Sequence, residues 1–158
     1  MFSNSLVLEI LDYLDLNLFR KVTIDELANT FHFNKDYLMR LFKREIGSTI
    51  IDYMNYKRIY MSLGSLKESG SILNISLRFG FYSQEYFCEV FHKLIGVSPS
   101  LYRAFLAYDS TIDEDTYYLI QNNVIFLEQF FKKIDIYKRN VPSKDMVIKL
   151  SIFKEQMI

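Results

Sequence analysis

Apolar positions along this chain fall mostly at three- and four-residue intervals, the spacing of one buried face of a helix. Val7, Ile10, Leu11 and Leu14 make the first stripe, with Ser3 or Asn4 in N-cap position, so a helix to about Asn17 is predicted. It should pack across the segment that follows. Thr23 and Glu26 have capping-box spacing ahead of a short helix, and Asn34 caps another over residues 35–46 that Gly47 can end in a left-handed turn. From about Thr49 to Ser69 there is no proline, which predicts one long helix with Gly64 as its weak point. Ile72, Ile75 and Phe79 then recur at helical spacing until Gly80 breaks the run. Ser83 caps a helix with Tyr86, Phe87, Val90, Phe91 and Leu94 inside, leaving Gln84, Glu85, Cys88, Glu89 and His92 outward. Gly96 closes it, and Ser98-Pro99 is a strong start signal for one more. Two short helices joined by a tight turn, the second with a polar outer face, form a helix-turn-helix pattern. A single copy would equally suit an ordinary helical hairpin.

The pattern occurs twice. Ile24, Leu27, Phe31 and Phe33 correspond to Ile72, Ile75, Phe79 and Phe81 at a shift of 48. Asn34, Tyr37, Leu38, Leu41, Phe42, Ile46 and Gly47 correspond to Ser83, Tyr86, Phe87, Val90, Phe91, Ile95 and Gly96 at a shift of 49. The extra residue lies in the turn, where insertion is best tolerated. Two units imply duplication rather than a solenoid. The intervening helix of about 21 residues would span ~31 Å at ~1.5 Å per residue, close to the ~34 Å turn of B-DNA.

These residues resemble the DNA-binding domain of the AraC/XylS family of bacterial transcription regulators. Leu27-Ala28, Leu38, Arg40, Phe42-Lys43, Gly47, Tyr53 and Arg58 carry the resemblance in the first half. Ile72, Ile75, Gly80-Phe81, Tyr86-Phe87, Phe91, Lys93, Gly96, Ser98-Pro99 and Tyr102-Arg103 carry it in the second. It covers roughly residues 5–106. Ser76 replaces the usual small alanine, and Glu89 and His92 stand where the family commonly has a basic residue. The resemblance implies a linker helix that sets two recognition helices into successive major-groove segments. It also implies double-stranded DNA as partner, with RNA polymerase as a second candidate, and a regulator of the short kind that lacks an N-terminal effector domain.

Beyond Leu106 the resemblance fades. Thr111 and Glu114 repeat the capping-box spacing and open a helix expected to reach about Tyr137, with Asn122-Asn123 as its point of interruption. Phe126, Leu127, Phe130, Phe131 and Ile134 are too apolar for a solvated linker. Pro142 ends the run; Met146, Ile148, Leu150 and Ile152 alternate as a strand would, although a helix from Ser143 fits equally. The tail reads either as an extension packed on the preceding domain or as a surface for a homodimer or partner. Both repeats and their closing helix precede it, so a chain cut after Leu106 is expected to fold. The fold class is therefore all-α: two helix-turn-helix subdomains bridged by a long linker helix, plus a mostly helical C-terminal extension. The domains are 1–106, with units at about 5–47 and 71–106 around the linker at about 49–69, and 107–158.

Charge does not point to DNA. The 158 residues hold 19 basic and 19 acidic side chains, and residues 1–106 carry twelve and eleven. That balance keeps a rival reading open, a protein-interaction module of the same fold that has lost strong DNA binding. One cysteine rules out an internal disulfide and suits a cytoplasmic setting. No apolar run reaches ~18 residues, so no membrane partner is expected. His32 and His92 fall in separate repeats and Cys88 has no partner at motif spacing, so neither metal, cofactor nor catalytic site is expected. On an exposed helical face Cys88 reads as an inert surface thiol rather than a redox-sensitive one, because nothing in the sequence supplies a lowered pKa.

Outward residues define the candidate contacts. For bases these are Lys35, Asp36, Met39 and Arg40 in the first unit and Gln84, Glu85, Cys88 and Glu89 in the second. Arg40 can donate a fork of bonds to guanine O6 and N7, Gln84 can pair with adenine, and a glutamate can accept from cytosine N4. For the backbone they are Asn34, Lys43 and Arg44, then Ser83, His92, Lys93, Tyr102 and Arg103. Arg58 is as suited to tying the two halves together as to a phosphate.

Overall fold

The stripes predicted for the first helix and for the helices capped by Asn34 and Ser83 supply many of the buried apolar side chains, whereas Phe126 of the last stripe is exposed. Six of the helices begin at a side chain that accepts from their first backbone donors. The computed structural model describes residues 2–140, in the order α1 (Phe2–Leu16), α2 (Ile24–Phe31), α3 (Lys35–Ile46), α4 (Ile50–Ser62), a 3₁₀ turn (Leu63–Lys67), α5 (Ile72–Arg78), α6 (Gln84–Ile95), α7 (Pro99–Leu106) and α8 (Glu114–Asn140). No strand occurs among the described residues. The alternation at Met146–Ile152 and the break at Pro142 lie outside them. Helix α1 starts at Phe2, ahead of the caps proposed at Ser3 and Asn4.

The chain forms two compact units. The first comprises residues 2–16, 22–50 and 132–140; the second comprises 17–21 and 51–131. In the first, Val7, Ile10, Leu11 and Leu14 of α1 are fully buried, as are Leu27 and Leu38, with Leu41, Phe42 and Ile134 nearly or fully so. The Tyr13 hydroxyl donates to the Glu26 carboxylate, which fixes α1 against α2. Glu26 thus serves α1, while Thr23 accepts from the Glu26 amide at 3.1 Å. Lys138 Nζ lies 3.1 Å from Asp15 Oδ2.

In the second unit Phe87, Phe91, Ile95, Ile59, Leu66, Ile120 and Leu127 are fully buried in one cluster. The single long helix expected over 49–69 gives way at Leu63 to a 3₁₀ turn. At three residues per turn Leu63 and Leu66 share one face, and both are buried. Ser62 Oγ donates to the Ile59 carbonyl at 2.7 Å where the α-helix stops.

Helix α8 also differs from expectation. Its cap is Asp113, whose Oδ1 accepts from the Thr116 amide at 2.7 Å; Thr111 instead donates to Asp109. The helix runs unbroken through Asn122-Asn123, because Asn123 Nδ2 donates to the Ile95 carbonyl at 2.8 Å. Ile120 and Leu127 of this helix complete the second core, so its stability depends on residues beyond Leu106. Burial of such a side chain contributes ~1.5–3 kcal/mol, and two make a large part of a typical ~5–15 kcal/mol total. Cutting the chain after Leu106 should therefore abolish cooperative unfolding of the second unit or lower its stability by ~3–6 kcal/mol. Denaturant titration checks this; a truncated chain unfolding at the parent's midpoint would contradict it.

Candidate nucleic-acid interface

The two outer helices of the repeats are built alike. Both are 12 residues long, α3 beginning at the Asn34 cap and α6 at the Ser83 cap. Asn34 Oδ1 accepts from the Asp36 amide at 2.8 Å, and Ser83 Oγ from the Tyr86 amide at 3.1 Å. Both end in left-handed glycines, Gly47 at φ 90° and Gly96 at φ 91°.

The turns before them differ by one residue. In the first unit His32, at φ 59°, is followed by Phe33 and then the cap. In the second Gly80, at φ 88°, is followed by both Phe81 and Tyr82. Phe81 is buried, whereas Phe33 is 45% exposed and stacks on Tyr37 at 5.5 Å. Tyr82 stacks on Tyr86 in the same way, at 4.8 Å. By backbone Phe33 and Phe81 are equivalent, as the shift of 48 has it: each amide donates to the carbonyl five residues back, Ala28 at 3.2 Å and Ser76 at 3.0 Å. Tyr82 is the added residue, and its ring takes the place beside the cap that the Phe33 ring holds in the first unit. A Cβ on Gly80 would lie 2.7 Å from Phe19 Cα, so glycine is required there on grounds of both space and φ.

Lys35, Asp36, Met39, Arg40, Lys43 and Arg44 are all exposed along α3. Lys35 Nζ sits 2.7 Å from Asp25 Oδ1, and this hydrogen bond raises the ammonium pKa. Arg44 Nε lies 3.2 Å from Glu45 Oε1. On α6, Glu85, Glu89, His92 and Lys93 are exposed, whereas Gln84 and Cys88 are half-buried. Burial pushes the Cys88 thiol pKa up, with Glu85 adding to the shift, so the group stays protonated near neutrality. Among the described residues no three His, Cys, Asp or Glu side chains are placed to hold a metal.

Two of the proposed backbone contacts have other work. Tyr102 is 5% exposed, packed at 5.6 Å from both Phe91 and Phe105, and burial raises its phenol pKa. Its ring is core, which a stripe reading could have shown. Arg103 donates from Nε to the Leu66 carbonyl at 3.0 Å and from Nη2 to the Gly70 carbonyl at 2.7 Å. It closes the 3₁₀ turn and the loop after it. Arg58 is likewise internal, donating to the Leu18 carbonyl at 2.7 Å and the Arg20 carbonyl at 2.8 Å. Tyr82, 79% exposed beside the α6 cap, was absent from the candidate set because a turn aromatic gives no periodic signal.

A family model described as a helix-turn-helix domain matches residues 27–104. Over 103 residues the chain is 31% identical to the HTH-type transcriptional activator AarP of Providencia stuartii, spanning 65% of this chain and 76% of that protein. Over 104 residues it is 35% identical to the probable transcription factor PqrA of Proteus vulgaris, spanning 64% and 85%. The chain belongs to the AraC family. It also matches larger relatives: an uncharacterized response regulatory protein of Staphylococcus epidermidis is 36% identical over 94 residues, of which the chain spans only 38%. Among solved structures, the C-terminal domain of AraT, a response regulator from Geobacillus stearothermophilus, is similar at a TM-score of 0.61 and 26% identity, covering 69% of this chain and 92% of that one. The DNA-binding domain of AdpA, solved in complex with a target DNA, shares the fold at a TM-score of 0.58 and 21% identity, with 68% and 97% covered. The family match ends at residue 104, so α8 lies beyond it.

For this AraC-family chain, Arg103→Ala should lower the stability of the second unit by ~1–2 kcal/mol, the loss of two charge-assisted bonds to carbonyls. Lys93→Ala, on the exposed face of α6, should leave it within ~0.5 kcal/mol of the parent. Equal unfolding midpoints for the two variants would return Arg103 to the surface set.

Proposed function

We propose that the chain is a sequence-specific DNA-binding transcription regulator that lays α3 and α6 into major-groove segments of one duplex, with α3 as the main reader. The observation that carries this is the outward face of α3. Lys35, Met39, Arg40, Lys43 and Arg44 all lie exposed on a helix whose cap, length and glycine stop are repeated in α6. Arg40 stands in the N-terminal half of α3, where a guanidinium can reach guanine O6 and N7. Asn34, Lys43 and Arg44 serve as its phosphate contacts, with Ser83, His92 and Lys93 doing so for α6. Gln84 is the one α6 residue suited to a base without adding charge. The DNA-bound AdpA domain, of like fold, and the two regulators more than 30% identical support this reading.

A second reading rests on Glu85 and Glu89, both exposed on α6. Two carboxylates repel phosphates, so α6 could face a protein rather than DNA, with RNA polymerase as the natural candidate at a promoter. A homodimer would use the exposed Tyr118, Ile125 and Phe126 of α8.

Four measurements on one selected duplex and one scrambled duplex separate these readings. Arg40→Ala should cost ~1–3 kcal/mol on the selected duplex and relax one guanine. Glu89→Arg should tighten binding to both duplexes, because a repulsion is replaced by a phosphate-seeking cation. Equal loss on both duplexes for Arg40→Ala, with discrimination abolished by Glu89→Ala, would make α6 the main reader. The parent's log–log salt slope should be shallow, about −2.7 to −4.5 for roughly 3–5 phosphates. A slope near about −10 would mean the cationic surface is far larger than these residues provide.

A further inference from the structure

Each unit places a stacked aromatic pair at the N-terminal end of its outer helix. One ring belongs to the residue before the cap and the other to the third helical position. Tyr82 and Tyr86 lie 4.8 Å apart at 18°, Phe33 and Tyr37 5.5 Å apart at 26°. The lower ring of the second pair is anchored from two sides. Asn55 Nδ2 donates to the Tyr86 hydroxyl at 2.9 Å, and Phe81 packs 5.8 Å from the Tyr86 ring. Tyr82 therefore has a fixed platform beneath it while 79% of its surface stays exposed.

We propose that Tyr82 is a DNA-backbone contact of the second helix-turn-helix, its phenol hydroxyl bonding a phosphate beside the N-terminus of α6. This rests on the reading of the chain as a duplex-DNA binder. Tyrosine is among the side chains that bond phosphate oxygens, and those contacts set register rather than sequence. Stacking on an anchored ring leaves little rotamer freedom to lose on binding.

Its chemistry also suits the surface around it. Glu85 and Glu89 make the α6 face unfavourable for phosphates, and a neutral hydroxyl on a rigid ring restores a donor at its edge. The first unit needs none: Phe33 has no hydroxyl, and Lys43 and Arg44 are exposed on α3.

The test uses the full chain with Tyr82→Phe and Tyr82→Ala, titrated against the selected and the scrambled duplex over a salt series. Tyr82→Phe keeps the stacked ring, so its thermal unfolding should match the parent's. Its affinity should fall about 3- to 10-fold on both duplexes alike. The salt slope should not change, since a neutral donor releases no counterion. Tyr82→Ala should lose at least as much. Parent-like affinity in Tyr82→Phe would overturn the proposal, as would a loss confined to the selected duplex, which would make Tyr82 a base reader. If the parent itself binds neither duplex at low salt, the DNA reading fails and this proposal with it, an outcome separate from a binding parent with an unaffected variant.

Discussion

The second helix-turn-helix depends on one buried cation. Arg58 on α4 is only 9% exposed, and burial holds its guanidinium below the usual arginine range. Such a group is tolerated because both ends of its fork are engaged, by the Leu18 and Arg20 carbonyls, with its flat face 5.9 Å from the Phe81 ring. Those carbonyls belong to the segment Asn17–Lys21, which is irregular and buries only Leu18, so the two bonds give it a fixed partner. The same guanidinium borders Gly80, where a Cβ would approach its Nε to 3.2 Å. One side chain thus fixes a connector, backs the tight turn and supports Phe81, the buried aromatic of that turn. Removing it would take the donor from the carbonyl of buried Leu18, so the cost would exceed that of the lost contacts alone.

How much of this could be read from the chain depended on whether the signal was local. Caps, glycine stops and apolar stripes are set within one turn of helix, and Thr23, Asn34, Ser83 and Ser98 all cap as side-chain acceptors, as their spacing predicts. Stripe residues such as Val7, Leu38, Phe87 and Phe91 are buried for the same reason. What escaped the sequence was set by distant partners. Arg103 looks like any exposed helix-end cation until the Leu66 and Gly70 carbonyls, more than 30 residues away, are brought to it. The 3₁₀ turn at Leu63–Lys67 is chosen by the burial of Leu63 and Leu66 rather than by propensity. Asn122-Asn123 looked like a break because asparagine is a poor interior helix residue; Asn123 is there to meet a carbonyl on another helix.

The candidate interface was legible in outline and less so in its chemistry. Exposure of Lys35, Asp36, Met39, Arg40, Glu85 and Glu89 follows directly from the period of their helices. The electrostatic contrast between the two outer helices also follows from the sequence, since a duplicated scaffold holds Arg40 at one site and Glu89 at the other. Conserving the scaffold while changing the charge costs nothing in folding, because both positions are solvated. The same physics explains the near-neutral chain. On the proposed reading, affinity for DNA would rest on a few placed contacts rather than on a general positive field, with discrimination concentrated in one helix.

Helix α8 lies outside the family match, yet the end of α6 is held by it. The end of α6 presents carbonyls that its own helix cannot satisfy, and Asn123 supplies one donor, to Ile95. Gly96 has no side chain because a Cβ would meet Asn123 Nδ2 and Leu119 Cδ2, both at 3.0 Å. The left-handed glycine therefore does two jobs: it turns the chain and lets α8 close onto the helix end. Gly47 shows the contrast, for it has the same φ with open space where its Cβ would be. In the first unit the backbone turn alone requires glycine; in the second the packing of α8 requires it as well. A substitution at Gly96 should for that reason disturb the seating of α6 more than the same change at Gly47 disturbs α3, even though the two turns are alike in backbone angles.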